Sequence, residues 1–243
     1  MPNPIIRNIP NAITCCNLIS GCIATGYAFM LNAKMALIWI IIGAAFDFFD
    51  GMSARLLKVS SPIGKELDSL ADDITFGFAP SAIVFSQLSV MDYPAFLEPT
   101  RQFLPFIAFV MAAFSALRLA KFNLDERQTT SFIGMPTPAN ALFWGSLIAT
   151  QTQWLENSPW MVFVLILLLA LCCWLLVAEL PMFALKFKQW GWKGNEIKYS
   201  FIILCAVMII LFGFIGSFSI IIPLYVIISV FIQFKKSGDS DNK

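Results

Sequence analysis

The chain is built of long apolar runs broken by short polar segments, and that alternation narrows its fold more than any other feature. Residues 35–57, 66–90 and 160–180 are each long enough to cross a bilayer as a helix, for which about 20 apolar residues suffice. Other runs extend from Asn11 or Thr14 to about Leu31, from beyond the polar segment 91–101 to Lys121, and from Pro138 to about Thr152. The last run, 199–234, fits two spans only as a tight hairpin, with Gly213 and Gly216 supplying the turn. Charged residues make up 13% of the chain, about half the share of a soluble domain, while 58% is hydrophobic and mean hydropathy is +0.77. The expected architecture is an all-α integral membrane protein, about eight transmembrane helices in one bundle, forming a single domain over 1–243. Residues 2–10 are expected to form a short interfacial helix, with Ile5, Ile6 and Ile9 on one side and Arg7 and Asn8 on the other. They lack the small-residue cleavage site of a signal peptide. Residues 235–243 read as a polar, disordered tail.

Charge placement orients this bundle. With both termini cytoplasmic, 14 of the 16 Lys and Arg fall inside, and only Lys34 and Arg101 lie outside. The loops 58–65, 122–137 and 186–198 are then cytoplasmic, and the protein is a multi-pass resident of the cell membrane. A net charge of +1 favours no particular partner, and no basic cluster carries interleaved aromatics, so nucleic acid has no support. Histidine is absent, which leaves carboxylates as candidate general bases. The six cysteines, Cys15, Cys16, Cys22, Cys172, Cys173 and Cys205, lie in apolar runs without zinc spacing and read as packing residues.

Against that apolar background the stretch 47–72, DFFDGMSARLLKVSSPIGKELDSLAD, places four carboxylates where lipid-spanning helices are expected. Asp47 and Asp50 are three residues apart, and Asp68 and Asp72 four, so each pair shares a helix face. One Asp at a membrane helix centre costs roughly 2.5–3.5 kcal/mol, so four unrelieved ones would cost on the order of 10–14 kcal/mol. Divalent cations relieve both this cost and the mutual repulsion, and an all-carboxylate set suits Mg²⁺ or Mn²⁺ rather than zinc. Gly51 and Ala54 lie on the face of the first pair and leave a trough against the backbone, with the Arg55 cation at the helix end. Gly64 stands one turn before Asp68, so Gly64, Asp68, Asp72 and Thr75 form a second stripe. Asn17 and Ser20 beside Gly21 offer hydrogen bonds within the bundle.

The spacing Asp47-x-x-Asp50-Gly51-x-x-Ala54-Arg55, then eight residues to Gly64-x-x-x-Asp68-x-x-x-Asp72, resembles the complete signature of the CDP-alcohol phosphotransferases. The resemblance implies a two-metal site of Mg²⁺ or Mn²⁺ held by Asp47, Asp50, Asp68 and Asp72. It also implies a CDP-lipid site lined by Gly51, Ala54, Arg55 and Gly64, with Asn17 nearby, and a cytoplasmic active site in which Asp72 serves as base. Three further segments resemble the phosphatidylserine synthase branch: Ile9 to Thr14 with Asn17 and Gly21, Ala116 to Asn123, and Phe132 to Ala139. That branch implies transfer of a phosphatidyl group from CDP-diacylglycerol to L-serine, with release of CMP. On this reading Arg118 and Lys121 meet the serine carboxylate, for which the planar fork of Arg is suited. The match spans roughly 9–140, and it departs at Leu180, where the branch leads one to expect a tyrosine before Pro181. A homodimer is an admissible assembly.

Two other readings stand beside this one. The same chemistry with glycerol 3-phosphate or inositol phosphate as acceptor would favour more basic residues around the pocket. A cation-coupled transporter would place its acids near the bilayer midplane, with broken helices and inverted repeats.

Overall fold

The structure is a computed structural model, and it describes residues 4–59, 61–125, 132–183, 191–192 and 195–241. Helices α1 (Pro4–Phe29) and α2 (Ala33–Leu57) make an antiparallel pair. Their joint is tight: Leu31 takes a left-handed φ of 58°, and the Asn32 side chain caps α2 by accepting from the Met35 N–H at 3.1 Å. The expected interfacial helix over 2–10 is not a separate element, because α1 runs unbroken through Pro10. A proline's fixed φ is helical, and this one sacrifices only a bond in the second turn.

At the other end α2 closes on Lys58, whose left-handed backbone (φ 52°) lets its N–H reach the Ala54 and Arg55 carbonyls. Ser61 then opens α3 (Pro62–Asp72): its hydroxyl accepts from the Gly64 N–H at 2.9 Å, and Pro62 occupies the first turn, where no N–H is needed. The loop expected over 58–65 is therefore shorter, and Gly64 is helical. Helix α3 continues without a break through a π-helical segment (Asp73–Phe78) into α4 (Ala79–Val90). Its widened turn sits just below Pro80, which has no N–H to donate and whose ring would press on the carbonyl four residues back in a regular helix.

Helices α1, α2 and the π segment meet at Thr75. A Cβ on Gly21 would lie 2.5–2.9 Å from Thr75 side-chain and backbone atoms, and one on Gly43 would lie 2.6 Å from its methyl group. The Thr75 hydroxyl donates to the Asn17 carbonyl at 3.0 Å. Because the contact at Gly21 is with backbone, no rotamer change relieves it. Gly21→Val is therefore expected to lower stability by at least ~2 kcal/mol through overpacking. Thermal unfolding in detergent checks this, and a melting temperature within a degree of the parent would contradict the packing described.

The second half begins with short 3₁₀ turns at Glu98–Thr100 and Leu104–Phe109, followed by α5 (Val110–Leu124), α6 (Thr137–Leu155) and α7 (Met161–Val177). The sixth span thus ends at Val177 rather than at Leu180. Strand β2 (Pro181–Met182) follows it and pairs antiparallel with β1 (Phe132–Ile133), a bridge with no apolar periodicity to announce it. Gly134, at φ 75°, donates to the Leu180 carbonyl at 2.9 Å, and Met135 to Leu175 at 2.8 Å, which ties the start of α6 to the end of α7.

The last helical element, α8 (Glu196–Asp241), is bent back on itself at Gly213 (φ 72°, ψ 164°). Phe201 and Tyr225 prove the reversal: their rings lie 5.9 Å apart, and Phe183 touches both. In a straight helix the two residues would stand about 36 Å apart. The hairpin expected over 199–234 is present. Among the described residues the molecule is eight helical rods, in agreement with the expected bundle. Four helical stretches are long and apolar enough to cross a membrane on composition alone: Ile6–Phe29, Ala33–Leu57, Leu104–Leu124 and Glu196–Gln233. The rod over 62–90 has the length but carries the aspartates. The six cysteines are free: Cys172 and Cys173 are buried, Cys16 and Cys205 half-buried, and Cys15 and Cys22 exposed. Most of the loop 186–198 and the middle of the loop 122–137 fall outside the described residues, as do the side chains of the tail 235–243.

Candidate active site

The connection between α2 and α3 is only 58–61, so distance from that joint fixes which residues face each other. At 1.5 Å per residue Asp50 and Asp68 each stand about 10 Å from it, and Asp47 and Asp72 about 15 Å. The four carboxylates accordingly form two facing tiers. Carboxylate oxygens of Asp47, Asp50 and Asp68 all lie within 4.8 Å of one another, and Asp72 meets Asp47 across the gap. Helix α1 closes the third side. The Thr14 hydroxyl donates to Asp50 Oδ2 at 2.6 Å, and Asn17 Nδ2 donates to Asp72 Oδ1 at 3.1 Å.

This arrangement suits a cation. Two like charges at such spacing repel by on the order of 3–4 kcal/mol at an effective dielectric of 20. Among the described residues no Lys or Arg forms an ion pair with any of the four, and Asp68 Oδ1 is buried without a hydrogen-bond partner. The donors are all hard carboxylate oxygens, a set that fits a hard divalent ion.

A cavity of about 260 Å³ opens beside the cluster, lined by Asp50, Gly51, Ala54, Gly64 and Asp68 together with residues of α1 and the α2–α3 joint. The small residues act as expected. A Cβ on Gly64 would come 2.8 Å from Asn11 Oδ1 and 3.0 Å from Ser61 Oγ, so glycine is what lets α1 approach. Arg55 is exposed rather than part of the lining, and its guanidinium folds back over Gly51, with Nη1 3.6 Å from where a Cβ would stand. Asn17 lies one layer below the cavity and holds Asp72. Four contributors escaped the sequence reading: Arg7, Asn11, Thr14 and Lys65, of which Arg7 and Lys65 bring positive charge to the cavity.

Arg118 and Lys121 line a second cavity of about 390 Å³, between the ends of α5 and α7, with Asp125, Ile133 and Glu179. Lys121 is exposed, whereas Arg118 is 7% exposed and stacks its guanidinium 5.2 Å from the Phe122 ring centre. No hydrogen-bond partner of its guanidinium occurs among the described residues, and it is near enough to Asp72 for their charges to attract.

Residues 7–174 match the CDP-alcohol phosphatidyltransferase family. Curated relatives named CDP-diacylglycerol–serine O-phosphatidyltransferase include one from Bacillus subtilis, 41% identical over 134 residues, covering 54% of this chain and 69% of that protein. The Mycobacterium bovis relative of that name is 29% identical over 184 residues, covering 73% of this chain but 61% of its own length. One from Methanocaldococcus jannaschii is 30% identical over 199 residues, covering 74% of this chain and 88% of the relative.

Proposed function

The chain belongs to the CDP-alcohol phosphatidyltransferase family, and from that premise we propose that it transfers the phosphatidyl group of CDP-diacylglycerol to the hydroxyl of L-serine, giving phosphatidylserine and CMP. The observation that carries the chemistry is the facing tiers of Asp47, Asp50, Asp68 and Asp72 beside a cavity floored by Gly51, Ala54 and Gly64. The serine acceptor rests on what the relatives are named for, together with a buried Arg118 whose guanidinium has no hydrogen bond among the described residues. A transporter reading is set aside, since membership of this enzyme family accounts for the carboxylates.

The four aspartates would hold two divalent ions, Mg²⁺ or Mn²⁺, which when bound would supply charge neutralisation at the diphosphate and at the phosphoryl oxygens in the transition state. The chain's own residues do the rest. Gly51 and Ala54 let the nucleotide lie against α2, while Arg7 and Lys65 bring positive charge to its phosphates and Arg55 lies over Gly51 at the rim. Asp72, oriented by Asn17, takes the proton of the serine hydroxyl. The serine oxygen then bonds to the lipid-side phosphorus, the phosphorus–oxygen bond of the diphosphate breaks, and CMP leaves with that oxygen. Arg118 and Lys121 hold the serine carboxylate at the depth where Asp72 waits.

An acceptor panel tests the assignment. Purified protein with CDP-diacylglycerol and Mn²⁺ is expected to release CMP with L-serine, at least ~10²-fold faster than with glycerol 3-phosphate or inositol phosphate. Preference for a phosphorylated acceptor would overturn it.

The reaction face is cytoplasmic in this reading. A single cysteine at Ser61, in a variant lacking the native cysteines, is expected to resist impermeant thiol reagents in intact cells and to react once the membrane is opened. Labelling from outside would reverse the orientation.

A further inference from the structure

On the π segment that follows Asp72, and on the helices packed against it, several side chains have unmet hydrogen-bonding capacity among the described residues. Asp73 Oδ1, Ser115 Oγ and both amide atoms of Asn140 are buried without a partner among the described residues, and so is Thr137 Oγ1. Ser115, Thr137 and Asn140 are 0% exposed. Folded proteins rarely leave such groups unpaired, so several in one region mark a place made for something polar. They belong to three elements that pack on one another: the π segment, α5 and α6. Asp73 and Ser115 both pack closely on Gly77. The point where a Gly77 Cβ would sit is 2.6 Å from Asp73 Oδ1 and 3.4 Å from Ser115 Oγ. Ser115 and Arg118 are one turn apart on the inward stripe of α5, with Met111 and Leu119.

We propose that Asp73 and Ser115, with Asn140 from α6, receive the ammonium group of the amino-acid acceptor while Arg118 holds its carboxylate. This rests on the transferase reading above and deepens it. An ammonium group brings three donors and no acceptor. The unmet oxygens of Asp73, Ser115 and Asn140 are three acceptors, one of them a carboxylate. A zwitterion anchored by Asp73 at one end and Arg118 at the other keeps its hydroxyl beside Asp72, the residue preceding Asp73. An acceptor carrying a phosphate and no amine would meet Asp73 as a like charge. Asp73 is thus a determinant of specificity for an amine-bearing alcohol.

The test uses the purified full chain and two acceptors: L-serine, and 3-hydroxypropionate, which has the hydroxyl and carboxylate but no amine. The wild type is expected to prefer serine by at least ~10²-fold in kcat/KM. Asp73→Asn should lower kcat/KM for serine ~10–100-fold, mainly through KM, as loss of a charge-assisted hydrogen bond implies. It should leave 3-hydroxypropionate and the KM for CDP-diacylglycerol within about threefold, because neither has a group there. Ser115→Ala, a smaller change beside the same glycine, is expected to act in the same direction by ~3–10-fold, and it serves where Asp73→Asn does not fold. A parallel fall with both acceptors overturns the assignment and makes these groups a buried structural network. Absence of serine-dependent CMP release by the wild type overturns the acceptor reading itself, and the assignment with it.

Discussion

Asp72→Asn is expected to lower the rate of phosphatidyl transfer by ~10²–10⁴-fold, the usual worth of a general base, while CDP-diacylglycerol still binds. The asparagine keeps the size of the side chain and its hydrogen bond from Asn17 but cannot take the hydroxyl proton. Asp47, Asp50 and Asp68 remain within 4.8 Å of one another, which suffices for at least one metal and hence for the donor. The fold should tolerate the change, because it removes one like charge from beside Asp47. Single-turnover CMP release at saturating serine reads the chemical step, and equilibrium binding of the donor reads the site's integrity. A loss below tenfold would argue that the proton goes elsewhere. Asp47→Asn is the useful contrast: it should weaken metal and donor binding together.

Arg118→Ala is expected to raise the KM for serine by ~10–100-fold with little change in donor KM, since a charge-assisted hydrogen bond is worth roughly 1.5–3 kcal/mol. Arg118→Lys should fall between the two, keeping the charge and losing the planar fork. The geometry gives this prediction its size. Arg118 is 7% exposed and makes no hydrogen bond among the described residues, so on the proposed reading its charge is dehydrated before serine arrives. Initial-rate kinetics in both substrates separates the possibilities. Damage to donor KM with serine spared would move Arg118 to the lipid phosphate.

The carboxylate cluster was legible in the sequence because its information is periodic. Spacings of three and four put Asp47 with Asp50 and Asp68 with Asp72, and the short joint 58–61 sets the two pairs face to face. The hairpin at Gly213 was legible too, because an apolar run too long for one span needs a residue that accepts a positive φ. What remained hidden depends on neighbours distant in sequence. Thr14 reads as an ordinary helix residue until α1 packs on α2 and its hydroxyl meets Asp50, 36 positions away. Pro10 reads as a boundary, which puts Arg7 in a separate interfacial helix and Asn11 at the start of the first span, whereas α1 passes through it and carries both residues to the cavity. The π segment inserts its wide turn without any change in apolar period, so nothing in the sequence announces that Asp73 and Ser115 both meet Gly77. The β1–β2 bridge is two residues on each side, too short for alternation to register.

The chemistry is most directly tested by following the serine oxygen. Purified protein is incubated with CDP-diacylglycerol, Mn²⁺ and L-serine labelled with ¹⁸O in its hydroxyl, and both products are weighed by mass spectrometry. Attack by that hydroxyl at the Asp72 site predicts phosphatidylserine carrying the label in its phosphodiester, unlabelled CMP in equal amount, and neither product after chelation of the metal. CMP released without labelled phosphatidylserine, or undiminished product after chelation, would contradict it.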